Sequence, residues 1–305
     1  MGCRIFAAVE NPAGPSPYEH ENLPGWFEGW EQSLSRFRTD SELNQINRSA
    51  GHPIKVSRPL WAVLKVAEKA ERESRNLVTP AIHDRMVAAG YDQSFEFMAP
   101  DMHSTLRPED PGTFLLSDVL TESRTRTIQL PFDCRLDFGG VAKGWAAHQA
   151  AGRLRPYGST LVNAGGDIAI TGRKSDDSCW SVGVSNPDDA SENLEVLKLG
   201  RCGVATSGTD YRRWKKDGDW QHHIIDPRTG LPAATDILSA TVIANNVMEA
   251  EMNAKVAVIL GGEAALSWLD DNPSLAGLLV YKTGRIVYSR RMQNYLWRKN
   301  DRSKQ

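Results

Sequence analysis

The stretch SATVIANNVMEAEMNAKVAVILGG, residues 239 to 262, changes its periodicity halfway along. Its first half is β-branched and apolar and stops at an Asn pair, as a strand entering a turn does. From Val247 the apolar residues recur at helical spacing, and Gly261–Gly262 ends the run. Such a strand feeding a helix fits either a doubly wound sheet or a segregated α+β arrangement, and the rest of the chain decides. After a short strand, CRIFAAVE (3–10), the first third is mainly helical: LPGWFEGWEQSLSRF (23–37), RPLWAVLKVAEKAERES (58–74) and IHDRMVAAGY (82–91). From residue 126 strands take over: TIQL, RLDF, CWSVGVSNP, EVLKLG, GVATSG and HHIIDP. Among them lie one helix, GGVAKGWAAHQAAGRL (139–154), and one hairpin bent at glycines, GSTLVNAGGDIAITG (158–172). AALSWLDD closes the chain as a helix, with LAGLLVY and IVYS as strands. Helices and strands are segregated, so the fold class is α+β. Nothing repeats and no low-complexity linker intervenes. Residues 1–300 read as a single domain and 301–305 as a frayed basic tail.

Composition narrows the function. Lys plus Arg (36) nearly balances Asp plus Glu (38) in 305 residues, so no basic excess points to nucleic acid. Cys3, Cys134, Cys179 and Cys202 are scattered without metal-ligand spacing and read as reduced thiols. The N-terminus lacks a basic segment followed by a long apolar run, so a secretory signal is not expected. No window reaches eighteen uninterrupted apolar residues, so no transmembrane helix is expected either. Together these features imply a cytoplasmic protein.

Four stretches carry chemistry. In LDFGGVAKGWAA (136–147), Asp137 ends a predicted strand, Gly139 and Gly140 allow unusual backbone angles, and Lys143 lies in the first turns of a helix. A strand, a glycine turn and a helix N-terminus together suit an anion such as a phosphate. The bland alternative is a tight turn with a surface lysine. VNAGGDIAITG (162–172) places Asn163 and Asp167 beside a reversal, which hairpins often do. VATSGTDYRRW (204–214) ends in Arg212, Arg213 and Trp214, able to grip phosphate and to stack, or simply an exposed turn and a charged strand. In HHIIDPRTGLPA (222–233), strand alternation would send His222 and His223 to opposite faces, one of them inward.

Taken in order, these stretches resemble the FAD:protein FMN transferase family, the ApbE-like flavin transferases. The resemblance covers nearly the whole chain, from MGCRIF through SRFRTDSELNQIN (35–47) to ATVIANNVMEAEMNAKVAVILGG. It implies an ApbE-like fold and a reaction: the FMN half of FAD passes to a Thr or Ser hydroxyl of an acceptor protein, and AMP leaves. Catalysis of this kind rests on positioning and on neutralising phosphate charge, commonly with Mg²⁺. It further implies that Met1, Phe37, Asp137 and Lys143 contact FAD. The segment Leu77, Val78 and Thr79 matches a Gly-x-Phe-Asp run at the cofactor, with Thr79 where the family has Asp. His223 matches a histidine near the pyrophosphate, suited to acid/base work because imidazole titrates near neutrality. The acceptor would be a flavoprotein carrying a Thr or Ser in a small-residue motif.

One departure touches the metal. The family pattern holds Mg²⁺ with an Asp, a Thr four residues later and a main-chain carbonyl matching Gly140. Here those two side chains are Glu251 and Lys255. With Met248 at 0° and about 100° per residue, Lys255 falls near 340° and Glu251 near 300°, inside the apolar sector, while Glu249 and Asn253 fall on the more polar arc. The pair is therefore expected to be partly buried. A protonated lysine cannot ligate a metal. Either Lys255 stands in for Mg²⁺, held by Glu251 and helped by Arg212 or Arg213, or the metal moves to Glu251 and a partner such as Asp167. The substitution keeps open an FAD carrier or chaperone without transfer, and water could replace the acceptor in an FAD pyrophosphatase. Nothing supplies a hydride-donor site for a flavin oxidoreductase.

Overall fold

The computed structural model describes residues 2–10, 18–98, 101–102, 114–189 and 191–298. Seven α-helices lie in them: α1 (Tyr18–Leu34), α2 (Glu42–Arg48), α3 (Arg58–Glu73), α4 (His83–Ala88), α5 (Ala142–Leu154), α6 (Val247–Leu260) and α7 (Gly262–Asp271). Contacts divide the chain into two compact units. The first comprises residues 1–3, 23–146 and 212–234, and the second 4–22, 147–211 and 235–305. Helices and sheets are both present, as the α+β reading expects.

The first unit is built on helices with defined ends. The Ser57 hydroxyl caps α3 by accepting from Leu60 N–H, and Leu60, Val63, Leu64, Ala67 and Ala70 form its buried stripe. The short α4 depends on the strand Arg213–Lys216 to satisfy its last carbonyls. Trp214 Nε1 donates to Ala89 O at 2.9 Å and Lys216 Nζ to Ala88 O at 2.6 Å. Met86, Ala89, Tyr91, Trp214 and Ile225 make a local core there. Helix α1 stops at Leu34, three residues before the expected end. The next segment is a turn held by Asn44, whose Nδ2 donates to the carbonyls of Arg36 (2.7 Å) and Arg38 (2.8 Å).

RLDF is not a strand. Its backbone bonds to other groups: Asn47 spans Leu136, donating to its carbonyl and accepting from its N–H, both at 2.9 Å, and Asp137 N–H donates to Pro80 O at 2.8 Å. A buried carboxamide and a loop carbonyl replace the partner strand. HHIIDP also splits, because one strand ends at His222 and the next is Ile225–Asp226. Face alternation across the two histidines therefore does not apply, and both are half-buried.

The second unit holds a seven-stranded antiparallel sheet in the order Ile5–Glu10, Ser159–Ala164, Asp167–Ile170, Cys202–Gly208, Ile237–Ala244, Ala276–Tyr281 and Ile286–Tyr288. The hairpin joining its second and third strands turns at Gly165 (φ 64°) and Gly166 (φ 98°), with Asn163 Oδ1 accepting from Gly166 N–H. Leu161, Ile168, Ile170, Val204, Ile243 and Leu278 pack with the outlying Leu197, Leu199 and Met292 into the main core. Helix α6 packs along Cys202–Gly208 and Ile237–Ala244. It comes so close that a Cβ on Gly203 would lie 2.0 Å from Val247 N. Asn246 caps it by accepting from Glu249 N–H.

The polar arc expected on α6 is not exposed. Asn253 is buried, donating to Glu249 O and accepting from Trp268 Nε1 of α7 at 2.7 Å. A second helix covers that side and supplies the polar partner a solvent face would otherwise provide.

Candidate functional site

Asp137 is the centre of a small constellation in the first unit. Its carboxylate closes an Asx-type turn, with Oδ1 accepting from Gly139 N–H at 2.5 Å. Both expected glycines have ordinary negative-side backbone angles, so the need for glycine at 139 is one of space. A Cβ there would lie 2.8 Å from Asp137 Oδ1. Val141 and Ala142 N–H groups then donate to Phe138 O, which starts α5 and places Lys143 in its first turn.

The other carboxylate oxygen meets an arginine that sequence reading missed. Arg36 Nε lies 2.7 Å from Asp137 Oδ2, and the two side chains are only 4% and 6% exposed. The guanidinium carbon sits 4.1 Å from the Phe37 ring centroid and 4.5 Å from that of Tyr91. Tyr91 stacks in turn on Trp214 at 5.3 Å. Burial raises the Tyr91 phenol above its ordinary range, although Arg212 and Arg36 pull the other way. Phe37 stays 40% exposed, so an aromatic surface borders the buried ion pair. Asp137 and Phe37 are thus brought together, with Arg36 between them. Trp214 is not presented for stacking on a ligand as expected. It is buried behind Tyr91, while Arg213 lies over the exposed Trp220 ring at 4.8 Å.

Thr79 sits elsewhere in this unit. Leu77 and Val78 beside it are buried. Thr79 Oγ1 donates to Glu71 Oε2 at 2.5 Å, and Leu116 N–H donates to Glu71 Oε1 at 2.9 Å. Burial pushes the Glu71 carboxyl above the ordinary value, with those two hydrogen bonds opposing. Thr79 thus presents a hydroxyl bonded to a buried carboxylate from α3. Thr79 also lines a cavity of about 290 Å³ with Arg75, Arg85 and Arg228. Arg228 is clamped by Asp226, Nη2 to Oδ2 at 2.7 Å.

The histidines separate into two roles. His222 Nδ1 accepts from Ile224 N–H at 3.3 Å, which leaves Nε2 to donate to Ala233 O at 3.1 Å. Those bonds fix its tautomer and bind it to the backbone. His223, the next residue, is half-buried and lies outside the strand.

In the second unit, Lys255 Nζ lies 3.2 Å from Glu251 Oε1 on α6, with side-chain exposures of 16% and 2%. The expected partial burial holds. Asp167 is buried at the start of its strand. Among the described residues no group of three or more His, Cys, Asp or Glu side chains is arranged to hold a metal. Cys134 and Cys202 are buried thiols, each pushed up to about 12 by desolvation, as suits inert structural cysteines. Met1 and the tail 301–305 lie outside the described residues. No described helix is long and apolar enough to cross a membrane.

The protein is α+β, and its first unit sets a buried carboxylate–guanidinium pair beside an exposed ring and a glycine-led helix start. Its class can be made specific. The ApbE family model matches residues 1–279, and the chain belongs to the ApbE family. An FAD:protein FMN transferase of Treponema pallidum (strain Nichols) is 29% identical over 299 residues, spanning 93% of this chain and 83% of that protein. One from Escherichia coli (strain K12) is 31% identical over 255 residues, spanning 80% and 72%. The ApbE protein of Thermotoga maritima shares the fold with a TM-score of 0.83 at 22% identity, over 97% of this chain and 96% of its own. The flavin transferase ApbE of Vibrio cholerae does so with a TM-score of 0.78, at the same identity and coverage.

Proposed function

We propose that this protein is an FAD:protein FMN transferase. An acceptor Thr or Ser hydroxyl attacks the FMN phosphorus of FAD, the pyrophosphate P–O bond breaks, and AMP leaves. The hydroxyl proton passes to His223. The observation that carries this reading is the Asp137 turn feeding Lys143 into the start of α5, in a chain whose ApbE match runs from residue 1 to 279. Asp137 and Phe37 hold the nucleotide, Lys143 meets phosphate charge, and Leu77 to Thr79 with Met1 complete the cofactor contacts.

The expected magnesium does not fit the side chains present. Mg²⁺ needs oxygen donors, and the second position offers an ammonium whose Nζ already faces Glu251 Oε1 at 3.2 Å. In this reading Lys255, held by Glu251, supplies positive charge in the metal's place. The acceptor is a flavoprotein with its Thr or Ser among small residues, and the protein acts in the cytoplasm.

The test is flavin transfer to a protein carrying such a segment, read as fluorescence on a denaturing gel, with FAD, with and without Mg²⁺, and after chelation. Labelling that survives chelation is expected, and Lys255→Thr should make it metal-dependent. Labelling only with Mg²⁺ returns the metal to Glu251. AMP release without labelling identifies a pyrophosphatase, and tight FAD binding with neither product identifies a carrier.

A further inference from the structure

Arg36 carries more than a structural ion pair requires. Its side chain is 4% exposed, and the Asp137 carboxylate meets it at Nε. Nη2 is buried and has no hydrogen-bond partner among the described residues. A buried guanidinium N–H without an acceptor is costly, and native structures usually complete one with a water, an ion or a ligand. The group is also not free to turn away. Phe37 and Tyr91 flank the guanidinium at 4.1 and 4.5 Å, and Tyr91 is itself backed by Trp214. Asn44 fixes the backbone from below through the Arg36 and Arg38 carbonyls. Its near neighbour Arg38 shows the contrast: it lies at the surface and spends its donors on Glu28 and Gln32.

We propose that Arg36 is a ligand contact and positioning residue of the flavin-nucleotide site. Nη2 donates to an acceptor atom of bound FAD, while Nε and the guanidinium face hold Asp137 and Phe37 in place for the same ligand. One planar cation thereby couples the polar and aromatic contacts, which a lysine cannot do because it lacks the fork and the flat face. The inference rests on the FAD-transferase reading and adds a donor to it.

The experiment titrates FAD, FMN, riboflavin and ADP into the full-length wild type and Arg36→Lys, following flavin fluorescence and calorimetry. Arg36→Lys is expected to weaken FAD about 10- to 100-fold, the range for a lost charge-assisted hydrogen bond. It should weaken only those fragments that carry the acceptor atom. Loss with riboflavin places the acceptor on the flavin ring, and loss with ADP alone places it on the pyrophosphate or adenosine. A purely structural arginine would lower the melting temperature and leave affinity unchanged, or weaken every fragment alike. Either result overturns the proposal. If Arg36→Lys does not fold, a crystal structure of the wild type with FAD decides. Nη2 within about 3.2 Å of a ligand acceptor supports the proposal, and a ligand-free Nη2 ends it. Wild type that binds no FAD overturns the transferase reading as well, whereas equal binding by both proteins overturns the Arg36 assignment alone.

Discussion

Lys255→Met removes the ammonium from a carboxylate that is 2% exposed. An exposed i,i+4 pair would contribute about 0.3–0.5 kcal/mol, and its loss would pass almost unnoticed. This pair sits on a helix whose Ala250, Met252, Ala254, Val256, Ala257 and Val258 are all buried. Removing one partner of such a pair withdraws a countercharge from an apolar setting and costs about 3–5 kcal/mol. With a urea dependence of about 3 kcal/mol/M for a chain of this size, the unfolding midpoint should fall by about 1–1.7 M at neutral pH. The double variant Glu251→Leu/Lys255→Met separates charge from volume. Apolar side chains replace both ions, and stability should return to within about 1 kcal/mol of wild type or exceed it. Urea unfolding followed by circular dichroism measures all three proteins. A Lys255→Met midpoint within about 0.3 M of wild type would refute the buried-pair reasoning. So would a double variant no more stable than the single one.

Two further outcomes follow from the first unit. Asn47→Ala strands the Leu136 N–H and C=O together, each worth about 1–3 kcal/mol when buried and unpaired, so it should cost about 2–6 kcal/mol in urea unfolding and weaken FAD binding by loosening Asp137. Glu71 has a folded-state pKa raised above its unfolded value by burial, so the protonated form is favoured by folding. Its stabilising contribution is complete below about pH 4.5 and is lost as pH rises through the folded value. Glu71→Gln should therefore gain on wild type as pH rises from 4.5 towards 8, and a pH-independent difference would contradict this.

The fold was legible where local periodicity and tertiary packing agree. α3, α5 and most of the sheet strands lie where their patterns place them, because each presents one apolar face to a core. Legibility failed where a distant side chain took over a backbone's hydrogen bonds. RLDF alternates like a strand, but Asn47, 89 residues away in sequence, occupies the groups a strand partner would use. The end of α1 failed for a related reason, since Asn44 stabilises a turn at Arg36 that the aromatic spacing of SRF does not announce. Periodicity counts apolar residues and carries no record of where a carboxamide will reach.

The site divides the same way. Motif order nominated Asp137, Phe37 and Lys143, and the helical wheel revealed that Glu251 and Lys255 are withdrawn from solvent. Arg36 was not legible. It stands two residues from Arg38 in SRFR, with the same charge and nearly the same neighbours, yet one is buried and the other pairs at the surface. What separates them is the Asn44-held turn, which aims successive side chains in different directions, and a carboxylate 101 positions later in the chain. The glycine at 139 shows the same limit. Its φ is not in the left-handed region, and it is the closeness of the Asp137 carboxylate that a side chain there would have to displace. Sequence order can therefore nominate residues for a family's chemistry. The residues that hold them at their working distances are set by contacts between distant parts of the chain, and Arg36 is the one whose chemistry extends beyond the protein itself.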